Sequence, residues 1–137
     1  MSGDVHVRFC ESRGVRFPPA THRDVAFQRF ERTEEVFRAL DAACEKEGRD
    51  PATLARSVAL TVVCAEEPVT LRRRAVAAGR DLAELRRDGL AGRPEEVAEA
   101  LSDYAAIGVS RVYLQILDLA DLDHVRLLGE QLLPLVA

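Results

Sequence analysis

The sequence predicts an α/β fold built on parallel strands, and three observations carry that reading. Helical and strand patterns alternate along the chain in the order helix, strand, helices, strand, helix. Such alternation signals parallel strands joined by right-handed helical crossovers. Both predicted strands are aliphatic on one face and hold polar groups on the other. The chain has 137 residues and is 47% hydrophobic, enough for one domain with a core. The same length excludes a complete (β/α)₈ barrel, which typically needs about 250 residues.

Residues 1–23 mix Arg, Gly, Pro and His without clear periodicity and are expected to form a loosely structured arm. Val5, Val7 and Phe9 alternate as a short strand would, and Pro18–Pro19 stops any continuation. The first helix opens at Thr33, a suitable N-cap, with Glu34 and Glu35 in the turn where the dipole favours acids. Val36, Phe37, Leu40 and Cys44 form its apolar face, and Gly48 ends it. Asp50–Pro51 starts a short helical turn through Leu54.

Ser57 to Cys64 reads as the first strand, β-branched and nearly continuously apolar. Val58, Leu60 and Val62 make its large apolar face. Ser57, Ala59 and Thr61 make a small, weakly polar one, which Val63 interrupts. A helix from Pro68 to Ala78 follows, with Pro68 suited to the first turn. Asp81 then caps a shorter helix to Arg87. Arg72–Arg73–Arg74 fans over about 200° of helix, so a solvated face is read there rather than a binding patch.

Gly89 to Gly92 is a turn or very short strand. Pro94 opens the next helix, buried through Val97, Leu101, Tyr104 and Ala105 and ended by Gly108. Free amides there would suit an anion, but Glu95 and Glu96 oppose one, so plain turn chemistry is read. Arg111 to Leu117 is the second strand. Val112, Leu114 and Ile116 face one way and Arg111, Tyr113, Gln115 and Leu117 the other. Asp118 or Asp121 caps the last helix, whose face is Val125, Leu128 or Gly129, Leu132 and Val136.

Charge and cysteine use narrow the function. Net charge is −4, and residues 1–30 hold five Arg against three acids, so the remainder is acidic. Nucleic-acid binders run basic on a face and usually overall, so no nucleic-acid partner is expected. No apolar run reaches about 18 residues, and no membrane partner is expected. The cysteines Cys10, Cys44 and Cys64 are odd in number and widely spaced, which fits a reducing, cytoplasmic setting. His6, Cys10 and His22 lack the paired spacing of a metal site, so no metal is expected. Glycine-rich phosphate loops and the nucleophile elbow are both absent.

Ligand sites in parallel α/β folds lie beyond the C-terminal strand ends. Tyr113, Gln115 and Asp118 are therefore the candidate cofactor-binding residues, with no catalytic residue assigned. Tyr113 and Gln115 inside a strand need polar company, supplied by a polar core layer or by a ligand. Asp118 would either touch that ligand or cap the following helix. Cys64 would act as a nucleophile only with a base beside it.

The succession Gly48–Leu54, Ser57–Val63, Gly89–Val97, Gly108–Gln115 and Leu117–His124 resembles the C-terminal portion of luciferase-like oxidoreductases, especially those using the deazaflavin F420. Where the family usually has Gly-Thr-Pro-Glu-Glu, this chain has Gly92–Arg93–Pro94–Glu95–Glu96. Residues 24–137 carry the likeness. Asp24–Val25–Ala26–Phe27 stands where relatives often read Asp-Glu-Trp-Asn, and this chain has no Trp.

The resemblance implies a partial (β/α)₈ TIM barrel, its last two to three strand–helix units, with Ser57–Val63 as the seventh strand and Arg111–Leu117 as the eighth. It implies F420 or FMN as cofactor, with hydride transfer or oxygen activation as the chemistry. Most cofactor contacts in the family come from earlier strands, so the expected partner is a complementing barrel fragment or a second copy of the chain. The alternative is a non-catalytic remnant or self-associating interaction module.

Overall fold

A computed structural model describes residues 22–136. Its centre is one long strand, β2 (Ala55–Cys64), with β1 (His22–Ala26), β3 (Leu90–Gly92) and β4 (Arg111–Gln115) all paired to it in parallel. Between β1 and β2 lie α1 (Phe30–Lys46) and a 3₁₀ turn (Pro51–Thr53). Next come α2 (Pro68–Ala77) and α3 (Leu82–Asp88), ahead of β3, and then α4 (Pro94–Ala106), ahead of β4. The last helix starts as α5 (Leu122–Leu127), passes through a π-helical turn (Leu128–Leu132) and ends as α6 (Leu133–Val136). The α/β class with parallel strands in one sheet is therefore observed.

Register shows how the sheet is laid out. Val58 pairs with both Val25 and Val112, so β1 and β4 flank β2 on opposite edges. The amide of Phe27 donates to the Ala59 carbonyl, and that of Ala65 to the Gly92 carbonyl. Alternate residues of a strand turn their backbone groups to the same edge, so β3 follows β1 along one side of β2. An ion pair between Arg29, just after β1, and Asp88, just before β3, spans the same side. β1 reaches Ala59 and β3 starts at Val62, which leaves a break in the edge beside Thr61.

Side chains separate by parity, as the strand period of two requires. Val25, Val58, Leu60, Val62 and Leu114 point to one face, where Phe37, Val97, Tyr104, Leu128 and Leu132 cover them from the helices. Phe30 meets Tyr104 edge-on, with centroids 5.1 Å apart. Val63 points the other way. It packs with Ala65, Leu71, Ala75 and Leu85 under α2 and α3. That second, smaller core explains why Val63 interrupts the polar alternation.

Several expectations need correction. The first helix begins at Phe30 with Arg29 at the N-cap, not at Thr33. Thr33 is buried, and its hydroxyl donates to the Arg29 carbonyl at 3.1 Å, so it belongs to the first turn rather than preceding it. The second strand ends at Gln115, two residues early. In the last helix His124 is buried and Val125 exposed, and Val136 also lies outside. The π-helical turn inserts a residue into the 3.6 period and rotates the buried face past it. The expected arm at 1–23 lies outside the described residues, apart from His22 and Arg23, which fall in β1.

Candidate functional site at the C-terminal strand ends

The half of the sheet not covered by the main core is the place where a ligand would meet polar groups. Ala26, Ala59 and Tyr113 share one register row, and Thr61 and Gln115 the next. The Thr61 hydroxyl donates to Gln115 Oε1 at 2.9 Å. Tyr113 is 47% exposed, and Gln115 is exposed as well. The two side chains expected inside the strand thus stand exposed, while Thr61 beside Gln115 is buried. Arg111 Nη1 donates to the Tyr113 hydroxyl at 3.4 Å.

Asp118 follows β4 and accepts from the Ala120 amide at 3.1 Å, a local turn that leaves it half-buried. The cap of α5 is Asp121, whose Oδ1 accepts from the His124 amide at 3.0 Å. Of the two aspartates offered for that cap, the structure selects Asp121. Tyr113 and Gln115 therefore lie together on one face of β4, with Asp118 beyond the end of their strand.

A buried polar network that sequence reasoning missed closes the end of β2. Arg74 Nε donates to Asp121 Oδ2 at 2.7 Å, and Arg74 Nη1 to the Cys64 carbonyl at 2.8 Å. The Cys64 amide donates to His124 Nε2 at 3.0 Å. Side-chain exposure is only 8% for Arg74 and 10% for Asp121. Arg74 is thus no part of a solvated arginine face, although Arg72 and Arg73 are exposed. Its partner is 47 residues away in sequence, so helical spacing gave no sign of it.

The network sets the charges there. The hydrogen bond from Arg74 holds the Asp121 carboxyl below its ordinary value despite burial. Burial, aided by the Arg74 charge, lowers the His124 imidazole. Accepting at Nε2 places the neutral ring's proton on Nδ1. Burial pushes the Cys64 thiol up to about 11, against the pull of Arg74. A thiol held neutral is a poor nucleophile, so Cys64 serves the core rather than covalent chemistry.

A second feature lies at the break in the sheet edge. A cavity of about 420 Å³ opens beside Thr61 and is lined by Phe27, Arg29, Arg32, Arg80 and Gly89. Gly89 belongs there for a steric reason, since a Cβ on it would meet the Thr61 carbonyl oxygen at 2.7 Å. By contrast, the N-terminus of α4 holds a carboxylate of its own helix. Glu96 Oε2 already accepts from the Arg93 amide at 2.7 Å, and of the turn or short strand read at Gly89–Gly92 the structure has a strand, Leu90–Gly92. Among the described residues no three His, Cys, Asp or Glu side chains are grouped to hold a metal, and no helix is long and apolar enough to cross a membrane.

No family model matches the sequence. No curated protein matches it either. A solved structure does match: the crystal structure of riboflavin lyase (RcaE) with modified FMN and substrate riboflavin, at TM-score 0.58 and 18% identity. The match covers 85% of this chain and 38% of that one, so the chain spans well under half the length of that enzyme. At this identity the likeness shows a shared fold.

Proposed function

We propose that the chain is the C-terminal portion of a luciferase-like, flavin- or F420-dependent oxidoreductase, comprising the last strand–helix units of a (β/α)₈ barrel. The observation that supports this best is the fold it shares, over most of its length, with an enzyme whose crystal structure holds modified FMN. In this reading the exposed Tyr113 and Gln115 face the barrel lumen, with Thr61 bonded to Gln115, and Asp118 stands at its C-terminal rim. Parallel barrels place their ligands at that rim.

The residues fit one side of a flavin or deazaflavin site. Tyr113 and Gln115 offer a hydroxyl and an amide from an exposed strand face, where a planar ring edge would take hydrogen bonds. A bound flavin or deazaflavin would supply the hydride chemistry, or with FMN the activation of oxygen. This chain's residues would orient the ring and exclude water from one side. Strands beyond the ones present would complete the barrel, supplied by a further segment or by another copy of the chain.

Titration of the purified chain with FMN and with F420, followed by cofactor fluorescence, tests the reading. Saturable micromolar binding of either supports it and names the cofactor. Absence of binding by a folded sample, shown folded by circular dichroism, removes cofactor use by this chain.

One observation favours a second reading, a self-associating module without catalysis. Leu119, Leu122, Leu133 and Leu135 are exposed, and an apolar groove of about 250 Å³ runs along β4 beside Leu101 and Leu132. Concentration-dependent oligomers that bind neither cofactor would establish that alternative.

A further inference from the structure

The cavity at the break in the sheet edge meets the polar row of the flavin reading at Thr61, and its other walls have a chemistry of their own. Its most unusual residue is Phe27, the non-glycine residue with positive φ among the described residues, at 53°. A bulky aromatic in that region is a real outlier and costs on the order of 1–3 kcal/mol. The sheet fixes it there, because its amide donates to the Ala59 carbonyl at 2.8 Å. Yet Phe27 is 51% exposed, so the strain is not repaid by burying the residue. A strained residue whose ring stands at a cavity wall presents a flat surface for something else to lie on.

The cavity wall itself carries more arginine than carboxylate: Arg29, Arg32 and Arg80 line it with Asp88. Arg32 also donates to Glu35 at 3.0 Å, and Arg80 lies 3.6 Å from Glu84, both carboxylates outside the lining. The Asp88 carboxylate is shared, since both Arg29 and Arg87 donate to it through Nε, at 2.8 and 2.9 Å. Asp88 is therefore more than neutralised. Arg29 is pinned through Nε alone, which fixes the guanidinium plane and leaves its two Nη groups for another acceptor. The sheet contributes Thr61 to the wall.

We propose that this cavity is a binding site for a small aryl anion, a planar ring bearing a carboxylate or phosphate. The anionic group would meet Arg29 and Arg32, and the ring would stack on Phe27. About 420 Å³ is within the range of small-molecule pockets. Tyr113 and Gln115 do not line the cavity, so shifts centred on Phe27, Arg29 and Gly89 tell this site from a flavin on the polar row.

The test uses the whole chain, ¹⁵N-labelled, titrated with phenyl phosphate, benzoate and inorganic phosphate, with amide shifts read at each step. The wild type is expected to bind phenyl phosphate or benzoate saturably, with shifts centred on Phe27, Arg29 and Gly89. Inorganic phosphate is expected to bind at least about tenfold more weakly, because it lacks the ring. Whichever aryl anion binds tighter identifies the charged group.

Two variants separate recognition from folding. Phe27→Gly takes positive φ without strain, so it should melt no lower than the wild type while losing at least about fivefold in affinity. Arg32→Gln should also lose affinity, and its loss should shrink in high salt. The proposal is overturned by a lack of saturable binding, by equal binding in both variants, or by shifts centred elsewhere.

Discussion

Replacing Asp121 by alanine is the sharpest test of how the end of β2 is held. The substitution removes one partner of an ion pair whose members are only 8% and 10% exposed. Solvent screening is slight at that exposure, so the surface-pair estimate does not apply. Removing one member of a buried pair typically costs about 3–5 kcal/mol, because the other charge stays buried and uncompensated. Here that charge is Arg74, which keeps only the Cys64 carbonyl as partner. The same carboxylate caps α5, a role worth about 1 kcal/mol by itself and already counted in part. We therefore expect a loss of about 3–5 kcal/mol, a large fraction of the roughly 5–15 kcal/mol that stabilises a typical domain. The assay is urea unfolding followed by circular dichroism, with the slope unchanged and the midpoint lowered. Asp118→Ala, which removes only a local turn bond, serves as the control and should cost about 1 kcal/mol or less. The double change Arg74→Met with Asp121→Leu should recover the part of the loss due to the orphaned charge, while the α5 cap and the donor to the Cys64 carbonyl stay lost. A loss below about 1 kcal/mol for Asp121→Ala would refute the reasoning.

Other consequences follow from the same geometry. Because burial lowers the native His124 imidazole below its ordinary 6.5, the unfolded chain takes up that proton first as pH falls. Stability from neutral His124 is thus complete above about pH 6.5 and declines below it, so His124→Gln should flatten the stability profile between about pH 7 and 5. Asp121 titrates lower still. Its contribution is present above the ordinary carboxylate value of 3.8 and is lost as pH falls through its depressed native value, and Asp121→Asn should remove that acid limb of the stability curve. Gly89→Ala forces a Cβ to 2.7 Å from the Thr61 carbonyl oxygen, a backbone atom that cannot swing aside, and should lower the unfolding free energy by about 1–3 kcal/mol in denaturant titrations. Cys64, fully buried with its thiol raised to about 11, should resist alkylation at pH 8 until the chain unfolds, as mass spectrometry of the labelled peptide would show.

Local signals carried the elements that depend on local chemistry. Asp81 accepts from the amides of Ala83 and Glu84 at the start of α3, and Pro94 sits in the first turn of α4, both as expected from capping preferences. Alternation of Val58, Leu60 and Val62 marked the covered face of β2, because the strand period leaves little choice once one face is buried. Long-range features were not legible. The burial of Arg74 depends on Asp121, and no periodicity within α2 distinguishes Arg74 from Arg72 and Arg73. Exposure of Tyr113 and Gln115 depends on what stands over the sheet face, which the strand's own pattern does not encode. The cavity escaped notice because it arises where β1 stops and β3 starts, and its arginines come from separate segments. Positive φ at Phe27 had no sequence mark either, since the usual signal for that region is glycine or asparagine.

The flavin reading is tested most directly by mapping a cofactor onto the chain. Adding FMN or F420 to the ¹⁵N-labelled protein should shift the amides of Tyr113, Gln115 and Asp118 saturably, together with those of Thr61 and its neighbours at the C-terminal end of β2. Shifts confined to the apolar groove beside Leu101 and Leu132, or no shifts from either cofactor in a folded sample, would contradict it.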